Sequence, residues 1–287
     1  MKVTIFTPTY NRLNTLKRVY KSLLEQSCLD FEWLVIDDGS TDGTEDFIEN
    51  LQEEKFEIVY IKQKNLGKHI ATNNALEHAR GYIFTCLDSD DWLLSDSIEF
   101  IINEFENDKN LNGLVGLDIY ENGTNVGGRL PSNEYINWID LKYLYKVKGD
   151  KCYVFKTEII KQFPFPNYGK SKHMPPSYQL IEFSKYYRFK TVNKNLKYVE
   201  YQNDGLSKNI KKHYFTSCEN YCEYRKNINY YLPNIQSKLR NILLFNISWI
   251  STKLKKEYRF KNIKNKSLSY LLLPMAYFFY LYYKRRI

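Results

Sequence analysis

Disulfide and zinc chemistry find little support in this chain. Its five cysteines, Cys28, Cys86, Cys152, Cys218 and Cys222, form no CxxC pair, and the four histidines are scattered. Neither a zinc constellation nor a disulfide framework follows from such spacing. Cys218 and Cys222 lie one helical turn apart, which alone is a poor metal site. Met1-Lys2 runs straight into an apolar segment, so no secretory leader is expected and a reducing cytoplasm is the simplest compartment. No internal repeat is visible. A membrane span needs roughly 20 apolar residues; residues 268–283 supply 16, broken by Ser269 and Pro274. Acids are scarce toward the C terminus. Residues 206–287 hold 17 Lys or Arg against 3 acids, a surplus of 14, so the first 205 residues carry five net negative charges within the overall +9. A basic tail on an acidic body points to an anionic partner, either nucleic acid or a phospholipid surface. No recognised nucleic-acid module is present, so nucleic acid is not the expected partner. Lys and Arg flank the aromatic stretch 268–283, which reads as an interfacial helix or as a helix docked on the body.

What the chain does have is alternation. At 287 residues and 43% hydrophobic it can bury a full core. Residues 3–7 (VTIFT), 31–36, 56–61 and 82–87 read as strands, and residues 13–24, 44–54, a stretch up to Arg80 and 95–107 as helices. Strand-helix alternation predicts βαβ units and a helix-covered, mainly parallel sheet. Ligands in such sheets sit at the carboxyl ends of strands. The loops there are PTYNR, DDGSTDGT and DSDD. The last brings Asp88, Asp90 and Asp91 within four residues, directly after an apolar run. Such acids repel one another unless a cation or a donor-rich ligand joins them. Hard oxygens suit Mg²⁺ or Mn²⁺ held by one or two carboxylates plus substrate phosphates. The competing reading is a solvated acidic turn ahead of a helix, where Asp96 and Glu99 have capping-box spacing.

Beyond residues 114–119 the pattern loosens. Asn122-Gly123 suits a hairpin turn, residues 152–155 a short strand, and the prolines at 164, 166, 175 and 176 substrate-shaping loops. From 206 onward the chain reads as basic helix. The expected division is an α/β domain over residues 1–205 and a helical extension over 206–287.

Four segments resemble the family 2 glycosyltransferases in order and spacing: TPTYNR at 7–12, VIDDGSTDGT at 35–44, NLGKHIATNNAL at 65–76 and LDSDDW at 87–92. GDKCYVFKTE at 149–158 and YQNDGLSKN at 201–209 are similar to the bacterial polysaccharide branch. The resemblance implies a GT-A fold (Rossmann-like) and transfer of a sugar from a UDP-sugar, with Mn²⁺ or Mg²⁺, to a glycan or lipid-linked acceptor at the cytoplasmic membrane face. Thr7, Pro8, Tyr10 and Asn11 match the loop placed around the base, and Asp38 the acid that hydrogen-bonds the uracil. Lys68 matches a cation near the diphosphate. Asp88, Ser89 and Asp90 match the D-x-D motif, which gives Asp88 and Asp90 to the metal, with Asp90 as its direct ligand and Asp88 nearer the ribose.

One departure concerns the general base, a carboxylate that inverting members place in a Pro-Glu or Glu-Asp pair. The matching stretch here, Met174-Pro175-Pro176-Ser177-Tyr178, has no acid. Asp150 or Glu182 takes that role by expectation, or the chain is a non-catalytic nucleotide binder or a membrane-docked partner subunit. Two other patterns fail on inspection. Asp38 to Glu49 has EF-hand spacing but follows a strand, and Gly169-Lys170-Ser171 lacks the first glycine of a Walker loop.

Overall fold

Seven residues of β-forming character, Val3–Thr9, make strand β1, and every one of them is buried. Pro8 is tolerated in this central strand because the pairing with the neighbour on one side has already ended at Phe6 with Cys86. After β1 come α1 (Leu13–Leu24), β2 (Phe31–Asp37), α2 (Thr44–Glu49), β3 (Glu57–Lys62), α3 (Lys68–His78) and β4 (Ile83–Cys86). Then follow β5 (Trp92–Leu93), α4 (Ser97–Asn107), β6 (Gly113–Ile119), β7 (Tyr135–Ile136), α5 (Trp138–Tyr143), β8 (Lys151–Lys156), α6 (Thr157–Ile160), α7 (Ser177–Ser184) and β9 (Phe189–Tyr198). The chain ends in α8 (Ile210–Thr216), α9 (Cys218–Asn229), α10 (Ile235–Ser251) and α11 (Ile263–Lys284).

The computed structural model describes residues 1–52, 55–132, 134–168, 171–200, 202 and 210–286. The 201–209 motif, Gly169-Lys170, the last residues of the helix expected to reach 54 and the expected 205/206 boundary therefore lie outside the described residues. Two compact units are formed, Met1–Pro164 with Glu182–Gln202, and Phe165–Ile181 with Asn203–Ile287.

In the first unit the strands lie in the order β3-β2-β1-β4-β8-β6-β9-β5, with β7 beside β9. The expected parallel βαβ half is present: β3, β2, β1 and β4 are all mutually parallel. The second half is mixed. β8 enters antiparallel to both β4 and β6, while β9 runs parallel to β6. Consequently β1, β2, β4, β6 and β9 all end on one edge, and β8 begins there. Leu16, Val19 and Leu23 of α1, at helical spacing, are buried in the same core as Trp33, on which Tyr20 stacks. Asn122-Gly123 is the expected turn: the Gly123 amide bonds to the Tyr120 carbonyl, and Gly123 has φ +83°.

The opposite edge is tied by one carboxylate. Glu32, fully buried, accepts from Thr4 Oγ1 at 2.6 Å, from the Arg80 amide at 2.8 Å and from the Arg80 guanidinium at 2.6 Å. Gly81 lets β4 approach; a Cβ there would stand 2.4 Å from the Thr4 amide. Burial opposes the charge on Glu32, but Thr4 and Arg80 outweigh it and hold its carboxyl below the usual range. A depressed folded-state pKa adds stability above the unfolded value, near 4.3, and that stability is lost as pH falls through the folded value. Glu32→Gln is therefore expected to cost about 1.5–3 kcal/mol at pH 7. In urea melts from pH 7 to pH 3 the gap from wild type should close below about pH 4; a gap independent of pH counts against this role.

The second unit is helical. Cys222, Ile242, Phe245, Trp249 and Phe260 form one cluster, and Tyr214, Tyr221, Ile247 and Ala276 another. Two of its buried amides are paired: Asn241 Nδ2 donates to the Arg225 carbonyl and to Asn229, and Asn220 Nδ2 to the Ser171 and His173 carbonyls. All five cysteines are free thiols.

Candidate active site

The three loops that the sequence places at strand ends lie on one edge of the sheet, and the first two are bonded together. Asn11, with φ +51°, donates its amide to Ser40 Oγ at 2.9 Å and accepts the Thr41 amide at 2.8 Å, joining the β1 and β2 turns. Asp37 accepts the Ser40 amide and the Tyr60 hydroxyl, both at 2.7 Å. Asp38 is buried and holds the loop after β3: it accepts from Gln63 Nε2, the Leu66 amide and the Gly67 amide, each at 2.8 Å. That loop delivers Lys68, the first residue of α3. Tyr10 is half exposed on the rim, whereas Thr7 is fully buried. Thr7 Oγ1 accepts the Trp33 indole N–H at 3.0 Å, so its side chain serves the core.

The acid turn has a different arrangement for each carboxylate. Asp88 is gripped by the Lys68 ammonium, 2.7 Å from Oδ2. Burial works against the ion, yet Lys68, with Lys197 behind it, keeps the Asp88 carboxyl below its usual range. Asp91 is buried and paired to Lys197 at 2.8 Å. Asp90 makes no hydrogen bond or ion pair to another residue through its carboxylate among the described residues. Burial, then the neighbouring Asp88 and Asp91, push it up to about 6. Ser89 is buried within the turn. Arg18 of α1 steadies the turn from below, donating to the Asp90 carbonyl at 2.7 Å, pairing with Glu200 at 2.6 Å and lying 4.0 Å over the Trp92 ring.

Behind the turn stands a group that the sequence did not announce. Lys197, at the end of β9, lies 3.7 Å from Asp118 at the end of β6 as well as beside Asp91. Asp118 is fully buried, and neither of its oxygens has a hydrogen bond among the described residues. Burial pushes it up to about 7, against the pull of Lys197. Only the residue pattern FKTVNKNLKY hinted at β9, and its alternation is too broken to read as a strand.

The two candidate bases part company. Asp150 precedes β8, whose first residue pairs with Leu117, so it stands on the rim beside Asp118. Glu182, the other candidate, is not brought to that edge. Its neighbour Phe183 packs on Phe155, Phe189 and Gly113, where β6 and β9 begin. That is five residues, roughly 17 Å, down the strands from Asp118. The Glu182 carboxylate holds Lys185 at 2.5 Å.

Among the described residues no group of three or more His, Cys, Asp or Glu side chains could hold a metal ion. The donor set nevertheless fits a hard cation of the Mg²⁺ or Mn²⁺ type, which takes one or two carboxylates and completes its shell with phosphate oxygens and water. Asp90 is the carboxylate of the turn with no ion-pair partner among the described residues, and Asp88 is adjacent.

With this geometry in view, the sequence comparison is decisive: the model of glycosyl transferase family 2 matches residues 4–164. The chain belongs to that family. A chondroitin synthase of Pasteurella multocida is 36% identical over 138 residues, 47% of this chain and 14% of that protein. A putative teichuronic acid biosynthesis glycosyltransferase, TuaG, of Bacillus subtilis is 37% identical over 99 residues, 34% of this chain and 39% of that one. The family 2 chain thus spans well under two-thirds of these relatives. Among solved structures, S. aureus TarS 1-349 in complex with UDP-GlcNAc matches with a TM-score of 0.63 at 20% identity, over 90% of this chain and 77% of that one. A mannosyltransferase from Pyrobaculum calidifontis, in complex with GDP-Man and Mn²⁺, matches with 0.56 at 17% identity, over 98% and 87%. The fold of the first unit is GT-A: a mixed sheet flanked by helices.

Proposed function

We propose that this family 2 chain transfers a sugar, with inversion, from a UDP-sugar to a hydroxyl of a glycan or lipid-linked acceptor in bacterial polysaccharide synthesis. The donor domain spans residues 1–205, and the basic extension rests on the inner face of a membrane. The observation that carries this reading is Asp90: a half-buried carboxylate, raised by burial and then by Asp88 and Asp91, with no ion-pair partner among the described residues, at the strand end where Lys68 stands beside Asp88. Such a carboxylate is costly unless a cation completes it. The names of the relatives, polysaccharide synthases and a glycosyltransferase bound to UDP-GlcNAc, support the donor class.

In this reading Pro8, Tyr10, Asn11 and Asp38 line the nucleoside side, the Asn11 and Asp38 bonds fixing the two loops in shape before the donor arrives. Lys68 meets the diphosphate and Asp90 holds the divalent cation, with Asp88 turning toward the ribose. A bound Mg²⁺ or Mn²⁺ supplies offset for charge on the leaving diphosphate. Asp150, on the same rim, accepts the proton of the acceptor hydroxyl.

Thermal melts with UDP-, GDP- and dTDP-sugars, each with and without Mn²⁺, test the assignment. UDP-sugar with Mn²⁺ is expected to raise stability by about 2.7 kcal/mol at a hundredfold excess over Kd, and neither partner alone by as much. A metal-independent response, or none to UDP, overturns it. A second reading, nucleotide binding without transfer, draws on the missing carboxylate at residues 174–178. Sugar-nucleotide turnover in acceptor extract, followed by mass spectrometry, separates the two.

A further inference from the structure

Helix α11 is two-faced. Along one side Leu268, Leu272 and Leu273 pack on the cluster around Phe245 and Trp249, and Ala276, Phe279 and Tyr283 on that around Tyr221 and Ile247. Asn246 and Ser269 bond reciprocally beneath this face. Along the other side Leu271 (75% exposed), Met275, Phe278 (66% exposed) and Tyr282 form an uncovered stripe at four- and three-residue steps. Pro274, also exposed, withholds the N–H that would bond the Tyr270 carbonyl, leaving that oxygen to solvent or a headgroup. No helix among the described residues is long and apolar enough to cross a membrane. With one face packed against its own unit, α11 can only lie along a surface.

At the foot of this helix is a cavity of about 360 Å³ lined by Lys256, Glu257, Arg259, Phe260, Lys261 and Lys266. Four of the six are cations, and none of the four forms an ion pair among the described residues. Arg259 and Lys266 are half-buried, and the Phe260 ring, buried against Phe245 at 4.3 Å between centroids, closes the floor. A protein gains nothing from gathering four unpaired cations around a hollow, because each repels the rest. The volume is at the small end of ligand sites, the size of a headgroup rather than a nucleotide sugar.

Charge decides the occupant. α11 carries no acid and has Lys264 and Lys266 in its first turn and Lys284, Arg285 and Arg286 at its end. A second copy of the chain would bring like charge against like. A surface that is anionic outside and apolar beneath matches both the cavity and the stripe. We propose that the cavity seats the phosphate of an anionic phospholipid headgroup while the Leu271–Met275–Phe278–Tyr282 stripe enters the acyl boundary. This inference rests on the membrane-surface reading above and names the lipid contact it uses.

Vesicle flotation of the full chain tests it, with phosphatidylcholine alone and phosphatidylcholine mixed with phosphatidylglycerol. Wild type is expected to float only with the mixed vesicles. Arg259→Glu with Lys266→Glu should weaken binding at least ten-fold, each cation near an anionic surface being worth roughly five-fold. Leu271→Ser with Phe278→Ser should leave a residual binding that salt abolishes. Lys256→Glu with Lys261→Glu, both exposed, is the second cavity pair should the first not fold. Lys284→Glu with Arg286→Glu, outside the cavity, is the control and should lose less than either. Cavity variants that float like wild type, or lose no more than the control, overturn the headgroup site while leaving the membrane reading standing. Wild type that ignores mixed vesicles overturns both. Titration with inorganic phosphate separates the sources: a saturable site removed by Arg259→Glu with Lys266→Glu, alongside unchanged flotation, assigns the cavity to a free anion and overturns the lipid. UDP binding by every variant should match wild type, so a failure here is distinct from a failure of the donor site.

Discussion

Asp90→Asn is expected to lower kcat/KM about a thousand-fold, close to 4 kcal/mol of transition-state stabilisation, and to remove the metal dependence of UDP binding. The substitution keeps the shape of the side chain and removes only its charge. In the protein without ligand that charge is a burden, because burial and the neighbours Asp88 and Asp91 both oppose it. The variant should therefore melt no lower than wild type, and slightly higher in the absence of metal. Loss of function with gain of stability is a signature that misfolding cannot imitate. Calorimetric titration with UDP, with and without Mn²⁺, reads the binding half, and a thermal melt reads the other. Wild-type metal-dependent affinity in Asp90→Asn would remove Asp90 from the cation and with it the main support for a metal-assisted transfer.

Much of this rim was legible before any coordinates. Strand-helix alternation over the first hundred residues puts the PTYNR, DDGSTDGT and DSDD loops on one edge by the topology of parallel sheets alone, and the first two are bonded to one another there. The functions inside the loops were less legible. Asp38 in sequence is one acid of a turn; only the fold shows its carboxylate gathering Gln63, Leu66 and Gly67. Without the D-x-D resemblance the acid cluster is three charges of one turn, whereas the structure pairs Asp88 with Lys68 and Asp91 with Lys197 and leaves Asp90 without an ion pair among the described residues. Lys197 lies 106 residues from Asp91. No local pattern carries a pairing of that span, and β9 itself lacks clean alternation. The place of Glu182 was illegible for a related reason: proximity in sequence to the Pro-rich stretch says nothing about which edge of the sheet the helix meets.

The Lys197 contact carries the second large effect. Lys197→Met should cost about 3–5 kcal/mol, because it leaves Asp91 and Asp118 buried with no cation between them. For a chain of this size that lowers Tm by roughly 10 °C. Adding Asp118→Asn removes one of the two stranded charges, so the double variant should recover part of the loss. A double-mutant cycle should give a coupling of about 1–3 kcal/mol. The pH dependence has a definite sign. Asp118 titrates near 7, raised by burial. An acid raised in the folded state contributes stability that is present below its unfolded value and lost as pH rises through the folded one. Without Lys197 that loss grows, so the deficit of Lys197→Met should be largest above pH 7 and shrink toward pH 5, where a protonated Asp118 needs no counter-ion. Denaturant melts of the four proteins across that range measure it. A deficit that is flat with pH, or additive single effects, would mean that Lys197 supports the sheet by packing alone. The predicted coupling would instead make Lys197 the post to which the acid turn is tied, since Asp91 closes the turn that begins at Asp88.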